Sequence, residues 1–213
     1  MEQNAIKLSQ TLRQMRGAAL KLGQVLSIQE DNLIPAHIRD AFTNARDFSF
    51  KMPDWQLENL MNEELGTEWQ TQKFVSFEMN PFAAASIGQV HKATLSENGS
   101  EAEGITKTNL KEVAVKVQYP GVLNSIDSDL DSLKMLVTYL NLLPKSFYLD
   151  EFLLNTRKEL KEECDYSLES RKQNLYRALL AEYSDLNFFK VPKIIGNLNF
   201  QLISIQVLLG QFY

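Results

Sequence analysis

The chain has 213 residues, 44% apolar and 23% charged, a globular composition with room for one good-sized domain or two small ones. Its net charge of −5 argues against nucleic acid as a general partner, and its lone cysteine, Cys164, excludes an internal disulfide. No apolar run approaches the roughly 18 residues needed to span a bilayer, and the N-terminus shows no cleavable secretory segment.

Residues 5–28 read as a helix with two faces. Leu8, Leu12, Met15, Ala19, Leu22 and Leu26 recur at spacings of four and three and form an apolar seam. Arg13, Gly17, Lys21 and Gln24 fall on the opposite face. Between Asn4 and Gln29 there are four basic residues and no acidic one, so this face is either solvated or laid on anionic lipid. Pro35 opens a second helix with Ile38, Ala41, Phe42 and Ala45 on one side, where His37 is a surface residue. Asp54 is placed to cap a third, carrying Leu57, Leu60, Met61 and Leu65, with Gly66 as its stop.

From Phe74 the period shortens from that of a helix to that of a strand. FVSF is a first strand, the small-residue loop Ala83-Ala84-Ala85-Ser86-Ile87-Gly88-Gln89 follows, and Gln89 to Leu95 is a second strand. His91 in that strand reads as packing or surface rather than catalysis. Residues 96–111 form a polar insert, long for a hairpin loop. The third strand, Val113-Ala114-Val115-Lys116-Val117, puts its valines on one face and Ala114, Lys116 and Gln118 on the other. A strand lysine between small neighbours is either solvated or, facing a cleft, suited to an anionic ligand such as phosphate.

After Tyr119-Pro120-Gly121 a long helix carries Val122, Ile126, Leu133, Val137 and Leu140 at heptad-like spacing. Asp127, Asp129 and Asp131 on it diverge around the axis and read as its solvated side rather than a metal cluster. Residues 150–183 give one or two further helices containing KELKEECDYSLES. Glu163 and Asp165 would point apart on a regular helix, so they share a contact only if the helix breaks between them. Residues 190–195 and 198–208 form a closing hairpin.

Four motifs in this order, RGAALKLGQVLSIQ, AAASIGQVHKATL, VAVKVQYPGV and EECDY, resemble the UbiB family of atypical kinase-like proteins, nearest its mitochondrial branch supporting coenzyme Q (ubiquinone) biosynthesis. The resemblance implies an α+β fold: a protein-kinase-like amino-terminal lobe of antiparallel sheet plus helices, with an N-terminal helical extension. The expected division is an extension over 1–72 and a lobe over 73–213 ending at a hinge near Leu208-Leu209-Gly210. Lys21-Leu22-Gly23-Gln24 matches the family's K-x-G-Q motif and Glu163-Cys164-Asp165 its E-x-D motif.

By the same resemblance, Ala83, Ala84, Ala85 and Ser86 would cover the phosphates of ATP or ADP held with Mg2+, and Lys116 would bind the α- and β-phosphates. Lys21, Gln24, Glu163 and Asp165 would shape the cleft, with Glu163 as the carboxylate partner of Lys116 and Asp165 facing another cation or a metal, Lys21 a candidate. No catalytic residue and no metal ligand is expected in this chain, since kinase-like folds carry them beyond the hinge. Asp150-x-x-x-x-Asn155 mimics the catalytic-loop spacing but precedes the hinge. The expectation is therefore a chain truncated at the hinge with its carboxy-terminal lobe absent, inactive alone. Its parent would be an ATPase or small-molecule phosphotransferase on the matrix side of the mitochondrial inner membrane, beside coenzyme Q biosynthesis proteins and anionic lipid. The alternative is a non-catalytic scaffold that binds a membrane or partner through the basic first helix.

Overall fold

A computed structural model describes residues 51–96, 112–139, 148–183, 185, 188–195 and 202–207. The helices expected over 5–28 and after Pro35, with Lys21, Gln24 and His37, lie outside the described residues, as do most of the polar insert and the expected hinge at 208–210. In chain order the elements are α1 (Asp54–Leu65), α2 (Trp69–Gln72), β1 (Phe74–Phe77), β2 (Ala83–Ala84), β3 (Gly88–Leu95), β4 (Glu112–Gln118), α3 (Val122–Tyr139), α4 (Leu149–Glu163), α5 (Tyr166–Ala181), β5 (Ile194–Ile195) and β6 (Ile203–Val207). The chain divides into two compact units, one of residues 51–120 and 165–213, the other of residues 1–50 and 121–164.

The first unit is built on an antiparallel sheet in the order β1-β3-β4-β6-β5, with β2 also paired to β3. The α+β class expected from the sequence is present, and so is the strand alternation. Val113, Val115 and Val117 are fully buried, and Gln89, His91, Ala93 and Leu95 of β3 share their face. Trp69, Phe74 and Phe77 pack edge-on at the end of this layer, and Phe77 stacks on the His91 ring. Gly88 sits tight against β4. A Cβ there would sit 2.3 Å from the Val117 carbonyl oxygen, so no larger residue fits without moving a strand.

α1 starts one residue earlier than a capping Asp54 would require. Pro53 occupies the cap position, and Asp54 is the first helical residue, its carboxylate 2.7 Å from Lys51 Nζ. The Pro53 carbonyl accepts the first bonds of the helix, from the N–H of Gln56 at 2.9 Å and of Leu57 at 3.1 Å. Leu57, Leu60 and Met61 are buried as their spacing predicts, and Gly66 ends the helix at φ 89°, a conformation glycine adopts without strain.

The second unit contains α3 and α4. Val122, Ile126, Leu130, Leu133 and Val137 form the buried seam of α3, while Leu153, Thr156 and Leu160 do the same for α4. Their polar flanks are joined by charge. Arg157 reaches Asp127 at 3.1 Å and Asp131 at 2.8 Å, and Lys161 reaches Asp127 at 2.9 Å. Asp127 and Asp131 are therefore not simply a solvated side. They sit one turn apart opposite two cations one turn apart, a ladder that the sequence of α3 alone does not reveal.

Candidate functional site

The site is organised by the face of the sheet opposite the valines. In the register of the ladders, Ala83 stands beside Val90, Val90 beside Lys116, and Lys116 beside Ser204, one row across β2, β3, β4 and β6. Residues paired in this way point to the same side. Lys116 thus shares its face with the first alanine of the small-residue segment, two strands and about 10 Å away. The segment itself is less open than a loop. Ala83 and Ala84 form the short strand β2, and the N–H of Ala85 donates to the Gly88 carbonyl at 2.9 Å, closing the tight turn through Ser86 and Ile87. Both strand alanines remain exposed, so no bulky side chain screens their backbone.

The Lys116 ammonium is held rather than loose. It donates to both carboxylate oxygens of Glu169, at 3.1 Å and 2.9 Å, and lies 4.7 Å from the centre of the Tyr166 ring. Tyr166 is buried and gives the cation an aromatic face. The side chains of Lys116 and Glu169 keep 21% and 37% of their exposure, so the pair stays within reach of a ligand.

Glu169, not Glu163, is the partner of Lys116, which corrects the sequence expectation. The helix does break within Glu163-Cys164-Asp165. α4 ends at Glu163, Cys164 caps it with its N–H on the Leu160 carbonyl at 3.1 Å, and Asp165 leaves helical geometry at φ −92°, ψ 86°. Asp165 then opens α5, its Oδ1 accepting the Leu168 N–H at 2.8 Å. It acts as a helix cap, and Lys21, the cation expected opposite it, lies outside the described residues. The new helix starts with its own phase, and that phase puts Tyr166 and Glu169 against β4. Glu169 in the first turn also faces the positive end of the α5 dipole.

His91 takes no part in this face. Its Nδ1–H donates to the Glu78 carbonyl at 2.7 Å, its Nε2 accepts from the Gln89 amide at 2.9 Å, and Gln89 Oε1 accepts the Met52 N–H at 2.9 Å. Burial, followed by the charge of Lys51, holds the imidazole below its ordinary range, against the opposing influence of the Glu78 carbonyl and Asp54. It is the packing histidine that its strand position suggested.

Among the described residues no group of three or more His, Cys, Asp or Glu side chains is placed to hold a metal ion. Nor is any helix of the described residues long and apolar enough to cross a membrane.

Residues 45–203 match the ABC1 atypical kinase-like domain. The chain is 42% identical over 193 residues to the mitochondrial atypical kinase COQ8 of Saccharomyces cerevisiae, covering 91% of this chain and 35% of that protein. It is 41% identical over 198 residues to the mitochondrial atypical kinase coq-8 of Caenorhabditis elegans, covering 93% of this chain and 24% of that one. Among solved structures it is similar to the protein of the Rv3197–erythromycin complex from Mycobacterium tuberculosis, at a TM-score of 0.51 and 31% identity, over 99% of this chain and 49% of that chain. The chain thus spans about a quarter to a third of the curated relatives it matches.

Proposed function

The chain belongs to the ABC1 atypical kinase-like family, and from that premise we propose that the Lys116 face of its sheet binds the phosphates of an adenine nucleotide. The observation that carries this reading is the Lys116–Glu169 pair, an ammonium fixed on a central strand by a carboxylate from the first turn of a helix. In kinase-like folds a lysine and glutamate so placed hold the α- and β-phosphates in register. Here Glu169 and the Tyr166 ring would keep the ammonium aimed, and Lys116 would share it with phosphate oxygens. The hairpin of Ala83, Ala84, Ala85 and Ser86 would lie over the phosphates, its small side chains letting the backbone approach. Asp165 would serve the site at one remove, by fixing where α5 begins and hence the height of Glu169.

Mg2+ accompanies the nucleotide in this chemistry and neutralises the charge that develops on the transferred group. Among the described residues no group of three or more His, Cys, Asp or Glu side chains is placed to hold it. The parent activity we infer is that of an atypical kinase, as an ATPase or small-molecule phosphotransferase, supporting coenzyme Q biosynthesis in the mitochondrion. This rests on relatives named as mitochondrial atypical kinases.

Titrating the 213-residue chain with ATP and ADP tests the binding reading directly. Lys116→Ala is expected to weaken binding by about tenfold or more, the range for a charged contact to phosphate, and Glu169→Gln by less. Unchanged affinity in Lys116→Ala, with the fold intact by circular dichroism, overturns the assignment.

A further inference from the structure

Lys116 and the alanine hairpin lie toward the end of β4, and the face they share continues toward its start. Ala114, two residues before Lys116, points the same way and is half-buried. The ladders put Lys92 of β3 on one side of it and Gln206 of β6 on the other, a second row beside that of Val90, Lys116 and Ser204. Ala114 is the low point of this second row, and half-buried Val90 lies diagonal to it in the first. The two make a flat apolar floor of the kind on which a planar ring can rest. Their polar neighbours differ. Lys92 is engaged, its ammonium 2.8 Å from the Glu112 carboxylate. Gln206 is half-buried, and among the described residues its amide has no hydrogen-bond partner. A half-buried amide left without partners is unfavourable, and a ligand on this floor would supply them.

A phosphate on Lys116 fixes which way the rest of its ligand runs. Toward the end of β4 the hairpin turns, closed by the Ala85 N–H on the Gly88 carbonyl at 2.9 Å. The remaining direction along the strand is back over Ala114. Gln206 stands one strand across and two residues back from Lys116, a diagonal of about 8 Å between Cα atoms. A base joined to those phosphates would lie over the floor with its edge toward the Gln206 amide. That amide carries an acceptor on one arm and two donors on the other, and a half-turn exchanges them. A 6-amino purine asks for the acceptor, a 6-oxo purine for a donor.

We propose that Gln206 meets the substituent at position 6 of a bound purine and, by turning its amide, admits 6-amino and 6-oxo nucleotides alike. The inference rests on the phosphate reading of the Lys116 face and widens it from adenine to both purine types. Gln206 sets specificity here by serving either edge. A carboxylate in its place would only accept, and would bring a charged acceptor against the 6-oxo oxygen. A leucine of similar size would serve neither base.

The test titrates the 213-residue chain with ATP and with ITP, whose bases differ at position 6. The parent is expected to bind the two within about tenfold of each other. Gln206→Glu should keep ATP and lose ITP, changing their ratio by at least about tenfold, the effect of setting one unpartnered acceptor against another. Gln206→Leu should weaken both by about three- to tenfold and leave their ratio as in the parent. Lys116→Ala should weaken both together. A parent preference for ATP above about tenfold overturns the proposal, as does a ratio that Gln206→Glu leaves unchanged or shifts toward ITP. If Lys116→Ala still weakens ATP binding in that case, the nucleotide reading stands and only the role of Gln206 falls. Should Gln206→Glu lose its fold by circular dichroism, Gln206→Leu decides, and unchanged affinity for both nucleotides there overturns the proposal. Failure of the parent to bind either nucleotide, or binding indifferent to Lys116→Ala, overturns both readings.

Discussion

Lys116 and Glu169, 53 residues apart in the chain, meet at 2.9 Å with the ammonium also over the Tyr166 ring. Because both side chains keep part of their exposure, the pair should contribute more to ligand geometry than to stability. A double-mutant cycle with Lys116→Met and Glu169→Gln is expected to give a coupling below about 1 kcal/mol in urea unfolding, the range for solvent-accessible pairs. A coupling of several kcal/mol would mean that the pair is a structural strut instead.

Ala83 shares the row of Lys116 and points to the same face. Ala83→Leu should leave stability nearly unchanged, since the position is exposed, yet reduce nucleotide affinity by crowding the path of the phosphates. Thermal unfolding and ATP titration of the same sample separate the two effects. A large fall in melting temperature with normal affinity would place that side chain elsewhere.

Gly88 has no room for a methyl group against the Val117 carbonyl. Gly88→Ala is expected to cost about 1–3 kcal/mol, the range for forcing an extra group into a packed interior. Urea denaturation measures it, and a cost under about 0.5 kcal/mol would show that β3 and β4 separate easily there.

His91 is buried neutral, and burial holds its imidazole below the ordinary 6.5. The unfolded chain therefore binds a proton at a higher pH than the folded one does. Stability from this group is complete above about pH 6.5 and is lost as pH falls from there toward the lowered folded value. Protonation would also turn Nε2–H against the Gln89 amide, whose oxygen is engaged by the Met52 N–H. Unfolding free energy measured across that window should fall with acidification in the parent and slope less in His91→Gln. Equal slopes would assign the acid sensitivity to other groups.

Asp127 and Asp131 are engaged by Arg157 and Lys161, and the hydrogen bond from Lys161 holds the Asp127 carboxyl below its ordinary range. Replacing both aspartates with asparagine should lower the melting temperature at neutral pH and leave the response to Mg2+ unaltered. A magnesium-induced stabilisation present in the parent and abolished in the double variant would turn the ladder back into a metal site.

What could be read in the sequence and what could not divide along one physical line. The alternation in β4 and the stop at Gly66 are set by neighbours in the chain, and both appear where their patterns put them. The partner of Lys116 depends on where a helix restarts. The resemblance points to Glu163 of the E-x-D motif, whereas the cap at Asp165 sets the phase of a new helix and brings Glu169 to β4. A signal was available, since Asp165 followed by another acidic residue within the first turn is a helix-start pattern. The α3–α4 charge ladder had no such local signal, because its register is fixed only when the two helices pack.

The tight passage between Gly88 and Val117 reaches beyond the stability of two strands. Side chains on a strand alternate, so sliding β4 by a single residue would drive the Lys116 amine inward among the valines and turn a valine out in its place. With a bare Cα on one strand seated under a carbonyl of the next, that slide is blocked. The direction in which the cation looks is thus guarded, on the neighbouring strand, by a side chain that is missing.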